Sequence, residues 1–163
     1  MSHMLAIGSI CDYHCEMNTT ELKAVTNLFR AHAALEEQFS GELNNVHGLA
    51  LKEMILLMFL ENSSLQRLSR VDLSKRMHSS ASTVTRLAAP LEKRGLVKRE
   101  SDNRDARLSY VVLTRAGQEL VGEARTSLQF FSVDVFSDRW SKKEIETIAE
   151  LLGRLTSGLP GKL

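Results

Sequence analysis

The stretch from Ser79 to Thr114, SSASTVTRLAAPLEKRGLVKRESDNRDARLSYVVLT, decides how the rest of the chain is read. Ser79, Ser80 and Ser82 are small hydroxyl residues able to cap the free amides of a helix's first turn, so a helix is predicted to open there. Val84, Leu87, Ala88 and Leu91 recur at helical spacing and form its core face, leaving Thr83, Thr85 and Arg86 on the other side. Gly95 ends the helix, as glycine does just past a C-terminus, and Lys93 and Arg94 fall in the last turn, where the dipole favours cations. Leu96 to Glu100 and Leu108 to Leu113 then read as two strands flanking a tip, DNRDAR, too basic to be packed and therefore projecting into solvent. Pro90 removes a backbone hydrogen bond inside this helix, which predicts a kink or loosened turn near Arg86.

With 163 residues, 43% apolar and 25% charged, the chain is one domain, or one small domain with an oligomerisation arm. The net charge of +1 argues for nothing, but its distribution does. From Arg67 to Arg107 there are 11 basic and 5 acidic residues, a surplus of six, whereas the remainder holds 10 basic against 15 acidic. A basic segment in an otherwise acidic chain is a phosphate-facing surface or an ordinary solvated face, and its coincidence with the helix and hairpin favours the first. A short polar helix face beside a basic hairpin suits a DNA major groove and the minor groove next to it.

Read in order, residues 1–17 form a flexible N-terminal arm, of which residues 1–4, MSHM, look like an expression-tag remnant. A first helix begins near Asn18 to Glu21 and runs to about Asn44 on a stripe of Leu22, Val25, Phe29, Leu35, Phe39 and Leu43. Leu51 to Glu61 is apolar on nearly all sides and is expected to be a buried, central helix. Ser69 and Asp72 open a third helix with Val71, Leu73 and Met77 inward. His78 and Ser79 link it to the serine-rich helix, completing a helix-turn-helix. Thr114 caps a fifth helix to about Phe131, and Ser141 with Glu144 opens a sixth on Ile145, Ile148, Ala149, Leu152 and Leu155. No signal peptide or membrane span is apparent, so a cytoplasmic location is expected.

The motifs Ser82-Thr83-Val84-Thr85-Arg86-Leu87, Leu91-Glu92-Lys93-Arg94-Gly95-Leu96-Val97, Asp102-Asn103-Arg104-Asp105-Ala106-Arg107 and Leu113-Thr114-Arg115-Ala116-Gly117 together resemble the MarR family of winged helix-turn-helix transcriptional regulators. The resemblance covers roughly residues 20 to 157. It implies a mainly α fold with a small β-hairpin wing, a winged helix-turn-helix over 47–114, and dimerisation helices over 18–46 and 115–160 that interlace with a second copy. It implies as function a dimeric regulator, in the repressor form, of a pseudo-palindromic DNA site relieved by a small ligand or by oxidation. Two recognition helices about 34 Å apart would read such a site. The competing reading is a winged-helix protein-interaction module whose basic face meets an acidic partner.

On DNA, Ser80, Ser82, Thr83, Thr85 and Arg86 are the major-groove candidates, with Arg86 either reaching a base edge or holding a phosphate. Arg104 is the candidate for the minor groove, and Asp102 pairs with Arg104 or Arg107 to fix the loop, as the family pattern implies, or simply initiates a turn. Lys75, Arg76, Lys98 and Arg99 are phosphate contacts or surface solubility. Cys11 and Cys15 in C-D-Y-H-C are redox sensors, part of a weak metal site with His14, or two thiols in a tail. No cofactor or metal is expected. A small apolar or aromatic acid is the effector that the resemblance implies, with Phe29, His32, Met54, Met58 and Arg70 as candidate linings or simple core. The scattered histidines (3, 14, 32, 47, 78), with no nucleophile elbow or phosphate-binding glycine loop, argue against an enzyme.

Overall fold

Helix starts in this protein are set by side chains that accept the free amides of the first turn. The computed structural model describes residues 19–101 and 109–156. Thr19 accepts the Leu22 amide before α1 (Thr20–His47), and the Glu53 carboxylate accepts the Ala50 amide before α2 (Leu51–Glu61). Ser69 accepts from Asp72 at 3.1 Å to open α3 (Arg70–Arg76), and Ser80 accepts from Thr83 at 3.1 Å to open α4 (Ala81–Lys93). Thr114 does the same through Gly117 for α5 (Arg115–Phe136). In α6 (Lys142–Thr156) the box is reciprocal: Ser141 donates its amide to Glu144 at 2.8 Å, and Glu144 returns its amide to the Ser141 hydroxyl at 3.4 Å.

Three strands, β1 (Arg67–Ser69), β2 (Val97–Ser101) and β3 (Ser109–Leu113), form an antiparallel sheet in the order β1-β3-β2. Leu68 lies opposite Val111, and Val97 opposite Leu113, so one face of the sheet is apolar and buried. β1 was not expected from the sequence. Three residues carry no period of their own, and only pairing with β3 makes them a strand.

The chain divides into two compact units, residues up to Gln38 and residues from Phe39 onward. In the first, Leu22, Val25, Leu28 and Phe29 of α1 are exposed, and His32 meets Glu36 one turn on at 3.5 Å. In the second, α2 is central as expected: Met54, Leu56, Leu57 and Leu60 are fully buried and Phe59 nearly so. Around them pack Leu43, Leu49, Leu73, Val84, Ala88, Leu91, Leu96, Val121 and Ala124. Each fully buried leucine contributes about 1.5–3 kcal/mol of apolar burial. Phe39 and Phe131 meet edge-to-face at 6.2 Å. No single described helix is long and apolar enough to cross a membrane.

Several expectations need correction. α1 continues to His47 and α5 to Phe136, because nothing breaks either helix earlier. Val71 faces solvent, since Leu73 and Met77 share the inward face one turn apart and Val71 falls on the opposite side. α4 runs through Pro90 without interruption. The proline is exposed near the helix end, so its ring meets solvent and only one carbonyl bond, to Arg86, is forgone.

The α6 box predicts a pH effect. Hydrogen bonds from the Ser141 hydroxyl and then its amide hold the Glu144 carboxyl below the usual 4.5. A depressed carboxyl stabilises the fold above its unfolded value and loses that contribution as pH falls through its folded value. Amide protection at the start of α6 is therefore expected to fall as pH drops below 4.5, and Glu144→Gln is expected to abolish that step. Hydrogen exchange followed by NMR checks it; protection unchanged down to about pH 3 would refute the capping role.

Candidate nucleic-acid interface

α4 is amphipathic in a way that separates anchoring from display. Val84, Ala88 and Leu91 go into the core, whereas Ser80, Ser82 and Arg86 are exposed and Thr83 and Thr85 are half-buried. The hydroxyls at its start form a local cluster, with Ser80 Oγ 2.7 Å from Ser82 Oγ and 3.0 Å from Thr83 Oγ1. Thr85 donates back to the Ala81 carbonyl at 3.0 Å. These bonds stay within one turn and leave lone pairs and amides pointing outward from the helix N-terminus, where anions are favoured. Arg86 has no ion pair among the described residues.

The turn into this helix is tight. His78 takes a left-handed conformation at φ 47° between α3 and α4, and Ser79 donates to the Met77 carbonyl at 3.0 Å. Lys75 is exposed and Arg76 half-buried at the end of α3, next to that turn.

At the other end of α4 the geometry is closed by two backbone bonds, Leu96 to the Leu91 carbonyl and Gly95 to the Glu92 carbonyl, both 2.9 Å, with Gly95 at φ 71°. Arg94 does not stay on its own helix dipole. Its guanidinium donates to the carbonyls of Gly48 at 2.6 Å and His47 at 2.9 Å, tying the end of α4 to the end of α1. His47 in turn lies 2.8 Å from the Ser127 hydroxyl on α5. Sequence patterning missed this joint because carbonyls carry no residue signature.

On β2, Lys98 pairs with Glu100 at 2.7 Å and Arg99 with Glu92 of α4 at 3.0 Å. Lys98 holds the Glu100 carboxyl below its usual value, through a hydrogen bond first and its charge second. Both expected phosphate contacts on this strand thus carry a carboxylate. Arg67 of β1 stacks over the Tyr110 ring of β3 at 4.7 Å, a cation on the exposed sheet face that the sequence reading did not include.

The remaining expected residues are placed one by one or lie outside the described residues. Asp102, Arg104 and Arg107, with Cys11 and Cys15, lie outside the described residues. Met54 is fully buried in the core, and Met58 packs against it. Arg70 is exposed at the start of α3, Phe29 is exposed on α1, and His32 is engaged by Glu36.

Comparison with known proteins places this geometry. Residues 47–108 match the model of the MarR family. An uncharacterized HTH-type transcriptional regulator of Bacillus subtilis, YxaD, is 32% identical over 84 residues, or 52% of this chain. The chain spans 58% of that relative's length. Among solved structures, Sco3205 of Streptomyces coelicolor, a MarR family transcriptional regulator in complex with DNA, superposes with a TM-score of 0.76 at 24% identity, covering 88% of this chain and 95% of that one. BpsR of Bordetella bronchiseptica, whose DNA binding is regulated by 6-hydroxynicotinic acid, gives 0.72 at 22% identity, covering 85% and 96%. These two likenesses establish a shared fold.

Proposed function

From the match of residues 47–108 to the MarR family model, we propose that the chain is a member of that family and a sequence-specific DNA-binding repressor acting as a homodimer on a pseudo-palindromic site. The observation that carries the reading is α4: its core face is locked by Val84, Ala88 and Leu91 while Ser80, Ser82 and Arg86 are exposed. A rigidly seated helix with a polar outer face and cations at both flanks is what a major groove requires. In this reading Ser80, Ser82, Thr83, Thr85 and Arg86 meet the groove and its bordering phosphates, Lys75 and Arg76 hold phosphates, Arg104 enters the minor groove, and Asp102 pairs with Arg104 or Arg107.

The dimer reading is supported by apolar side chains left uncovered in α1, α5 and α6: Leu22, Val25 and Phe29, then Phe130 and Val133, then Leu151, Leu152 and Leu155. Burying such stripes needs a second surface, and a two-fold partner also matches a pseudo-palindrome. Relief by a small aromatic acid is supported by BpsR, whose regulator is one. Such a ligand acts by binding one spacing of the recognition helices more tightly than another.

The test is binding to the upstream intergenic DNA of the protein's own gene against scrambled DNA of equal length, for the wild type, Arg86→Ala and Arg104→Ala at two salt concentrations. Selective binding that weakens steeply with salt is expected. Arg86→Ala should lose about 1–3 kcal/mol of discrimination if it reads a base, and Arg104→Ala should weaken binding to the same site. Equal affinity for both DNAs, with no site recovered by genome-wide selection, would replace this reading with the protein-interaction module.

A further inference from the structure

β2 leaves α4 through a turn that fixes the base of the strand. Leu96 returns its amide to Leu91, and Gly95 supplies the left-handed residue between them. A second attachment lies farther out, where Arg99 Nε meets Glu92 Oε2 at 3.0 Å. Arg99 is on the sheet face shared by Val97 and by its cross-strand partner Val111, the face turned to the core. Lys98 and Glu100 alternate to the other face and pair with each other. Pairing with β3 holds β2 along its length, and relative to α4 its direction is held by one backbone turn and one ion pair.

We propose that Glu92 and Arg99 are a positioning pair that holds β2 at a set angle to the recognition helix, and that Arg99 gives its charge to Glu92 rather than to a phosphate. The segment carrying Arg104 continues directly from the end of β2 at Ser101, so the pair governs whether helix and wing address adjacent grooves together. This inference rests on the DNA-binding reading above. It makes a prediction of unusual sign. Removing an acid from a DNA-facing surface ordinarily strengthens binding by reducing repulsion, whereas removing Glu92 should weaken it.

The experiment measures operator affinity across a salt series for Glu92→Gln, Arg99→Gln, the double variant, and the exchanged pair Glu92→Arg with Arg99→Glu. Each single variant is expected to bind about two- to fivefold more weakly, the equivalent of a solvated ion pair. The double variant should be no weaker than either single, and the exchanged pair should recover part of the loss. The slope of log affinity against log salt should keep its wild-type value. Tighter binding by Glu92→Gln, or a slope reduced by about two for Arg99→Gln in a dimer that has lost one phosphate contact per protomer, would overturn the proposal. If the wild type selects no DNA at all, the DNA-binding reading fails instead. The pair is then judged by a double-mutant cycle on unfolding, where zero coupling between Glu92 and Arg99 would refute it.

Discussion

Gly117→Ala is expected to destabilise the protein by about 2–4 kcal/mol, although alanine is the better helix former. A Cβ at Gly117 would stand 2.2 Å from the Leu96 carbonyl oxygen and 2.7 Å from a methyl of Leu113. The methyl can turn aside, but the carbonyl cannot. Leu96 O already accepts the Thr114 amide at 3.0 Å, and the single hydroxyl proton of Thr114 is shared between Gly95 O at 2.6 Å and Leu96 O at 3.0 Å while its oxygen accepts from Gly117. Moving α5 away to admit a methyl group breaks several of these bonds together, at roughly 1 kcal/mol each. Gly122, on the exposed side of the same helix with nothing within 4 Å of its Cβ position, is the control. Gly122→Ala should stabilise by about 0.5–1 kcal/mol. Urea unfolding of both variants at one protein concentration checks the pair, and equal signs would contradict it.

Leu57→Ala is expected to remove about 3–5 kcal/mol, since Leu57 is fully buried in the middle of α2 and the surrounding elements cannot collapse into the space. α2 packs on α3, α4, α5 and the sheet, so a cavity there loosens the seat of α4 as well as the core. The same urea titration measures it. A loss below about 1.5 kcal/mol would mean that neighbouring side chains refill the site and that α2 is not the centre of the fold.

The helices were legible because their signals are local. Ser69, Ser80, Thr114 and Ser141 each stand where a helix begins, and Gly95 stands where one ends. The core face of α4 followed from spacing alone. β1 and the Arg94 joint were not legible, because each depends on a partner far along the chain or on a main-chain carbonyl, and the Glu92–Arg99 pair was not, because it spans the turn between a helix and a strand and follows neither period. Pro90 misled because its lost hydrogen bond was given the weight it has in the middle of a helix, whereas it falls in the last turn, exposed. Val71 misled because apolar character alone does not set a helix face: two residues from Leu73, it falls on the opposite side. The display side of α4 was read from residue type, and the structure adds that its hydroxyls are already linked to one another.

The order of strands also sets a timetable for synthesis. β2 and β3 are neighbours in sequence and can zip as a hairpin within microseconds, whereas β1 must wait for β3 across all of α3, α4 and β2. At ribosomal rates of about 5–20 residues per second, that interval lasts several seconds. During it the nascent chain holds out α2, its most apolar segment, before the sheet and α5 exist to cover it. The protein's most hazardous moment is therefore not as a finished molecule but at the ribosome exit, half made.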